Sequence, residues 1–201
     1  MLKVLNLYAG IGGNRRLWHN VEVTAIELSA DIASVYAELF PNDKVIVTDA
    51  HEYLLNHYKK FDFIWSSPIC KTHSKMQLPL ENKKYADMSL YQEIILLQNF
   101  SYRAKFIVEN TVPYYTPLIK PQAIIQRHCF WSNFPITEFN QKYTTGLISR
   151  GKVADLEKEH NLSLDKFEIK GKREILRNCV NGELGLHLLK DAFPRIYKTN
   201  E

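Results

Sequence analysis

Cys70 closes the stretch Phe63-Ile64-Trp65-Ser66-Ser67-Pro68-Ile69-Cys70, where an apolar run stops abruptly at two serines and a proline. A thiol just past a strand end is a candidate nucleophile: its reactive form is the thiolate, which the adjacent Lys71 favours. A second apolar run, Phe106-Ile107-Val108, stops at Glu109-Asn110. A carboxyl group buried there can stay protonated, donate to a ring nitrogen and accept from an exocyclic amine; the plainer reading is a cap for the following segment. Upstream, Leu5-Asn6-Leu7-Tyr8 runs into Ala9-Gly10-Ile11-Gly12-Gly13. In that order the three features point to a thiolate acting on a planar ring beside a nucleotide-like cofactor.

Glycines between a strand and a helical stretch let backbone approach a ligand closely. A dinucleotide fingerprint wants a third glycine where this chain has Arg15, which disfavours a nicotinamide cofactor. Glu27 follows the second apolar run and Asp49 the third. A glycine turn, an acid that can accept from ribose hydroxyls and a further acid form the layout of an S-adenosylmethionine site. Taken singly, each acid reads as a helix N-cap. Cys129 and Cys179 read as small buried hydrophobes. Cys70, His73, His128 and Cys129 match no common zinc spacing, so no metal is expected.

The elements that must position these residues alternate. Strands are expected at Val4–Leu7, Val21–Ile26, Val45–Val47, Phe61–Trp65 and Lys105–Val108. Helices are expected near Arg15–His19, at Asp31–Phe40, through Tyr53, Leu54 and His57, and at Met88–Tyr102. Such alternation implies parallel βαβ units with right-handed crossovers, whose ligands bind at the carboxyl ends of the strands. Every residue singled out above sits at such an end. Lys71 to Asp87, with Lys71, Lys75, Lys83 and Lys84 around Pro79, fits neither element and reads as a candidate mobile lid, the plainer reading being a solvated surface loop. After Pro121, Phe130–Phe134 resembles a strand. Thr137 to Lys170 is polar, carries Lys142, Arg150, Lys152, Lys158 and Lys166, and is expected to leave the main sheet. Arg173 to Ala192 reads as helix interrupted near Asn181-Gly182.

The chain has 201 residues, 45% of them hydrophobic, which supports one α/β domain with a modest insertion. A net charge of +4 is compatible with nucleic acid without singling it out. Three cysteines without a CxxC pair suit a reducing compartment. No signal-peptide succession precedes the first strand, and no apolar run has the length of a membrane span. A soluble, cytoplasmic protein is expected, with no membrane partner.

These motifs resemble the DNA cytosine-5 methyltransferase family. Asn6-Leu7-Tyr8-Ala9-Gly10-Ile11-Gly12-Gly13 looks like its cofactor turn. Ser67-Pro68-Ile69-Cys70 with Ser74 looks like its nucleophile motif, and Glu109-Asn110-Thr111 like its Glu-Asn-Val. Arg127 to Phe134 looks like its arginine-containing strand, and Arg177-Asn178-Cys179-Val180-Asn181 like the late motif that returns to the cofactor. The resemblance implies a Rossmann-like α/β fold with a mostly parallel sheet and helices on both faces. Residues 1–136 would form the catalytic and cofactor-binding part, 137–172 a reduced target-recognition segment, and 173–201 a helical return.

It further implies that a cytosine flipped out of DNA is attacked at C6 by Cys70, held at N3 and N4 by Glu109, and methylated at C5 from S-adenosylmethionine. Asn110 and Arg127 complete the implied catalytic set. Tyr8 would lie against the adenine, Glu27 hold the ribose, Asp49 the adenine amine, and Asn178 and Val180 the methionine end. Ala9, Gly10, Gly12, Gly13, Leu28, Ala50 and Pro68 would line that cofactor site. Lys71, Ser74, Lys75, Gln126 and His128 would face nucleic acid.

The chain departs from the pattern at three places. Ile69 replaces a proline and Lys71 a glutamine. Gln126 and His128 align with two arginines, leaving Arg127 between them, facing the opposite side of a strand. The short recognition segment limits base readout in the major groove and suits a phage or mobile-element enzyme in a bacterial host. These departures keep two alternatives open: a catalytically weak subunit that binds cofactor or nucleic acid, and a tRNA cytosine-5 methyltransferase. A second copy or a protein partner would help so small a chain grip DNA.

Overall fold

The computed structural model describes residues 1–82, 84–101, 103–140 and 151–197. Lys83, Tyr102, Lys142 and Arg150 lie outside the described residues. The described residues form seven strands: β1 (Leu2–Leu7), β2 (Val21–Glu27), β3 (Lys44–Val47), β4 (Phe63–Ser66), β5 (Lys105–Thr111), β6 (Ala123–Ile125) and β7 (His128–Ser132). The helices are α1 (Ala30–Leu39), α2 (Ala50–His57), α3 (Ser89–Phe100), α4 (Val153–His160), α5 (Lys172–Asn178), α6 (Gly182–Ala192) and the short α7 (Pro194–Tyr197). Single 3-10 turns occur at Tyr58–Lys60 and Lys75–Gln77.

The strands form one sheet in the order β3-β2-β1-β4-β5-β7-β6. The β3-β2, β2-β1, β1-β4 and β4-β5 pairs are parallel, and β7 runs antiparallel to both β5 and β6. Strand order reverses between β1 and β4, which opens a crevice at their carboxyl ends. Alternation along the strands sends side chains to opposite faces. Leu5, Leu7, Ile64, Phe106, Val108 and Trp131 belong to one buried cluster with Leu54, Ile94 and Leu97 of α2 and α3. Val4, Phe63, Trp65, Ile107 and Phe130 belong to the other, with Leu184, Leu188 and Leu189 of α6. β4 is buried on both faces, as a central parallel strand must be.

The helix expected near Arg15–His19 is not formed; a series of turns runs from Gly10 to Leu17. Eight residues wound as helix would advance only about 12 Å. The six-residue strand that this crossover must run beside is about 20 Å long. The stretched turn is held instead by Arg15, whose Nε and Nη2 donate to the two Asp43 carboxylate oxygens at 2.6 and 2.9 Å. Its Nη1 donates to the Trp18 carbonyl at 2.7 Å. The arginine that spoils a dinucleotide fingerprint therefore serves as a clamp.

Two elements escape the sequence reading. β6 is only three residues long, and α4 has a single buried residue, Leu156. The region around α4 also packs inward: Leu156, Leu164 and Phe167 share a buried cluster with Ile11, Val35 and Leu176. Among the described residues, no helix is long and apolar enough to cross a membrane.

Candidate active site

The glycine turn follows β1. Tyr8 has φ of +55°, and Gly10 and Gly12 have +55° and +78°, so the chain here winds through left-handed backbone. A Cβ at Gly12 would fall 2.4 Å from the Phe40 ring, and one at Gly13 2.7 Å from the Val180 carbonyl. Both glycines are required by close packing. A Cβ at Gly10 would meet nothing within 4 Å, so this glycine borders open space. Ala9 is buried and its amide donates to the Ile26 carbonyl at 2.9 Å, tying the turn to β2.

Glu27 ends β2, as expected. Its Oε2 accepts from the Gly10 amide and its Oε1 from the Ser29 amide, both at 2.9 Å. Each oxygen keeps a lone pair for a further donor. Leu28 is exposed beside it, and Asp49 is an exposed N-cap of α2 whose Oδ1 accepts from the Glu52 amide at 2.8 Å. Ala50 is buried beneath this edge. Acceptors for two hydroxyls, a further carboxylate, an exposed apolar side chain and the open space at Gly10 suit a nucleoside cofactor such as S-adenosylmethionine. Val180 reaches the turn through its backbone; Asn178, the last residue of α5, is exposed.

Cys70 follows β4, whereas Glu109 and Asn110 lie inside the adjacent parallel β5, which runs on past the expected end at Val108 to Thr111 because these residues pair with β7. Asn110, buried, donates from Nδ2 to the Pro68 carbonyl at 2.9 Å, so it anchors the backbone that carries the cysteine. Burial pushes the Cys70 thiol up and the nearby Glu109 adds to this, while the Arg127 guanidinium pulls it down. Lys71 counts for less than its adjacency suggests, because its exposed ammonium pairs with Glu174 at 2.9 Å. Burial also pushes the Glu109 carboxyl up to about 7, against the Ser67 hydroxyl and the Arg127 charge, which favour its ionised form. Trp65 Nε1 donates to Ser67 Oγ at 2.8 Å, which leaves that hydroxyl free to donate to Glu109.

His128 Nε2 lies 3.6 Å from Glu109 Oε1. The two are not an ion pair at neutral pH: burial, with Arg127 adding to it, drives His128 down to about 3, so its ring is neutral. Its Nδ1 is buried without a hydrogen-bond partner. Gln126 and Arg127 form the two-residue turn between β6 and β7, with Gln126 at φ +56°. Arg127 is therefore not in a strand, and the alternation that sends it to the far face does not apply. Its Nη2 donates to the Arg177 carbonyl at 2.5 Å, bracing the hairpin against α5.

The segment from Lys71 to Asp87 is only partly lid-like. Ser74 forms a bridge with Pro113, the His73 carbonyl accepts from the Tyr114 amide at 3.0 Å, and His73 Nδ1 lies 2.5 Å from the Tyr115 hydroxyl. Gln77 Nε2 donates to the Lys71 carbonyl at 2.8 Å. Lys75 is exposed, and beyond Gln77 so are Leu78, Leu80 and Tyr85. Beyond these, the Lys84 amide donates to Gln77 Oε1 at 3.2 Å and the Asp87 amide to Thr72 Oγ1 at 3.0 Å. Cys129 is fully buried, and burial pushes the Cys179 thiol up to about 12. Among the described residues, no three His, Cys, Asp or Glu side chains are grouped to hold a metal ion.

Sequence reasoning quoted Ser67 within the nucleophile motif without giving it a role, and did not single out His51 or Glu93. Those two become visible only when α2 and α3 are folded onto the sheet.

No family model and no curated protein matches the chain. Among solved structures, the methyltransferase EhMeth of Entamoeba histolytica is 10% identical, covers 98% of this chain with 99% of its own, and superposes with a TM-score of 0.55. A DNMT2 variant from Spodoptera frugiperda is 23% identical over 55% of this chain, with a TM-score of 0.41; the chain spans 36% of that protein's length. With its strand order and the full-length superposition, this chain has the Rossmann-like fold of S-adenosylmethionine-dependent methyltransferases.

Proposed function

We propose that the protein transfers a methyl group from S-adenosylmethionine to C5 of cytosine in DNA. The observation that carries this reading is a thiol just past β4 and a buried carboxyl group in the adjacent β5, with Asn110 beside that carboxyl group holding the Pro68 carbonyl two residues before the thiol, and with β4 paired to the strand that leads into the glycine turn. When bound at that turn, the cofactor supplies an electrophilic methyl carbon.

Glu109 is protonated below about pH 7 and can donate to ring N3 while its other oxygen accepts from the exocyclic amine. That contact draws electron density from the ring and makes C6 electrophilic. Arg127 favours the Cys70 thiolate against burial. The Cys70 proton leaves to solvent, and its sulfur bonds C6. The electron pair released onto C5 would take the methyl carbon as the bond from that carbon to the cofactor's sulfonium sulfur breaks, leaving S-adenosylhomocysteine. Loss of the C5 proton to water re-forms the ring double bond and expels the thiolate. Asn110 holds the Pro68 carbonyl and so fixes where Cys70 presents its sulfur. The target base must leave the duplex stack to reach this crevice.

Residues 137–172 take the place of a recognition segment in this reading, and 173–201 close the catalytic part. Lys71, Lys75 and Gln126 would meet phosphates or bases, and a second copy of the chain would widen the grip. A binding-only reading draws on one observation: burial holds the Cys70 thiol above its ordinary range.

The test is methyl transfer from labelled S-adenosylmethionine to duplex DNA, single-stranded DNA and tRNA, with Cys70→Ala alongside. Label in DNA as 5-methylcytosine, lost by at least about a thousandfold in the variant, is expected. Label confined to tRNA would change the substrate. Cofactor binding without label in any nucleic acid would leave the binding-only reading.

A further inference from the structure

Glu93 of α3 is fully buried, and a buried carboxylate requires donors. Three converge on it from three separate elements. The Tyr8 hydroxyl donates to Oε1 at 2.6 Å from the turn after β1. His51 Nδ1 lies 3.0 Å from the same oxygen and comes from the first turn of α2. The Ser66 hydroxyl donates to Oε2 at 2.5 Å from the last residue of β4. Tyr8 is thus held at both ends: its backbone in a left-handed conformation uncommon for a bulky residue, and its hydroxyl on Glu93. Burial and the Glu93 charge both hold the Tyr8 phenol far above its ordinary range, so it remains a donor.

We infer that Glu93 is a positioning residue of the cofactor site. It acts through Tyr8, fixing that ring at the glycine turn, and through Ser66 it ties the turn to the strand end that leads into Pro68 and Cys70. The inference rests on the cofactor reading given above. Neither Glu93 nor His51 lies within the glycine turn or the nucleophile motif, so the assignment comes from the convergence alone.

The experiment is calorimetric titration of the full chain with S-adenosylhomocysteine, with thermal melting and amide hydrogen exchange of the cofactor-free protein. Tyr8→Phe keeps the ring and removes its anchor. It should weaken binding about tenfold, the loss of a charge-assisted hydrogen bond, and speed exchange at the Tyr8–Gly12 amides. Glu93→Gln should stay within about threefold of the native protein, because the amide oxygen still accepts from Tyr8 and His51 and its NH₂ can donate to Ser66. Glu93→Leu should lose at least as much as Tyr8→Phe, and adding Tyr8→Phe to it should lose no more. Native affinity in Tyr8→Phe, or additive losses in the double variant, would overturn the inference. Should Glu93→Leu not fold, Tyr8→Phe decides: a tenfold loss with faster exchange at the turn upholds the inference and native affinity overturns it. A native protein that binds no S-adenosylhomocysteine would sink the cofactor reading first, and this assignment with it.

Discussion

At the scale of single residues, Glu109 and His128 show how burial sets chemistry. The Glu109 carboxyl sits at about 7 when folded, against an ordinary 4.5. The folded state therefore holds a proton that the unfolded chain has lost across that interval. The stability this supplies is complete below pH 4.5 and is lost as pH rises through 7. His128 runs the other way: its folded value of about 3 lies below the ordinary 6.5, so acidification through that range destabilises the fold. Glu109→Gln removes only the first effect. The melting advantage of the variant over the native protein should grow between pH 5 and pH 8 by about 2–3 kcal/mol, while methyl transfer falls. An advantage that does not change with pH would mean that Glu109 ionises normally. Cys70, Glu109 and the glycines stand out in the sequence as candidates because each follows an apolar run, although pairing with β7 carries β5 past Glu109 to Thr111. The protonation of Glu109 by burial was legible too. The diversion of Lys71 to Glu174 was not, because that partner lies about a hundred residues away and only folding joins them.

At the scale of elements, the strands followed from apolar runs and the main helices from spacing, since each must bury a stripe against the sheet. Three features did not follow. β6 is too short to show alternation, α4 offers one buried residue, and the crossover after β1 is stretched by geometry rather than by local preference. The interruption near Asn181-Gly182 did follow, and it is the N-cap of α6, where Asn181 Oδ1 accepts from the Glu183 amide at 2.7 Å. α6 carries a constraint of its own. A Cβ at Gly185 would fall 2.1 Å from the Asn14 carbonyl oxygen and 2.8 Å from its carbon, both backbone atoms. Asn14 is itself fixed by a buried pair with Asn6, its Nδ2 donating to Asn6 Oδ1 at 2.9 Å. Neither side can yield cheaply, so Gly185→Ala should destabilise by about 3 kcal/mol. That corresponds to a drop of roughly 6–12 °C in melting temperature for a chain of this size. Because Asn14 adjoins Gly13, cofactor affinity should fall with it. A melting temperature within 1 °C of native would mean that α6 can lift away from the turn.

At the scale of the whole molecule, the residues after Gly171 serve both the core and the site. Leu184, Leu188 and Leu189 share one buried cluster with Val4, Trp18, Phe63, Trp65, Ile107 and Phe130 from the strands and the crossover. The same stretch delivers the Val180 carbonyl to Gly13, the Arg177 carbonyl to Arg127 and the Glu174 carboxylate to Lys71. A chain ending at Gly171 would return those six side chains largely to water, losing on the order of 10 kcal/mol. That matches the entire net stability of an ordinary domain, about 5–15 kcal/mol. The truncated chain should therefore lose its near-ultraviolet circular dichroism and its cooperative melt, bind hydrophobic dyes and show no affinity for S-adenosylhomocysteine. A truncated chain that melts cooperatively near the native temperature would require another cover for that face of the sheet. If it also bound the cofactor, the late motif would have no part in the site. Loss of both together is what one continuous body demands, since the Val180 backbone that closes on the glycine turn lies in the three-residue link, Cys179 to Asn181, that leads directly into the helix sealing the core.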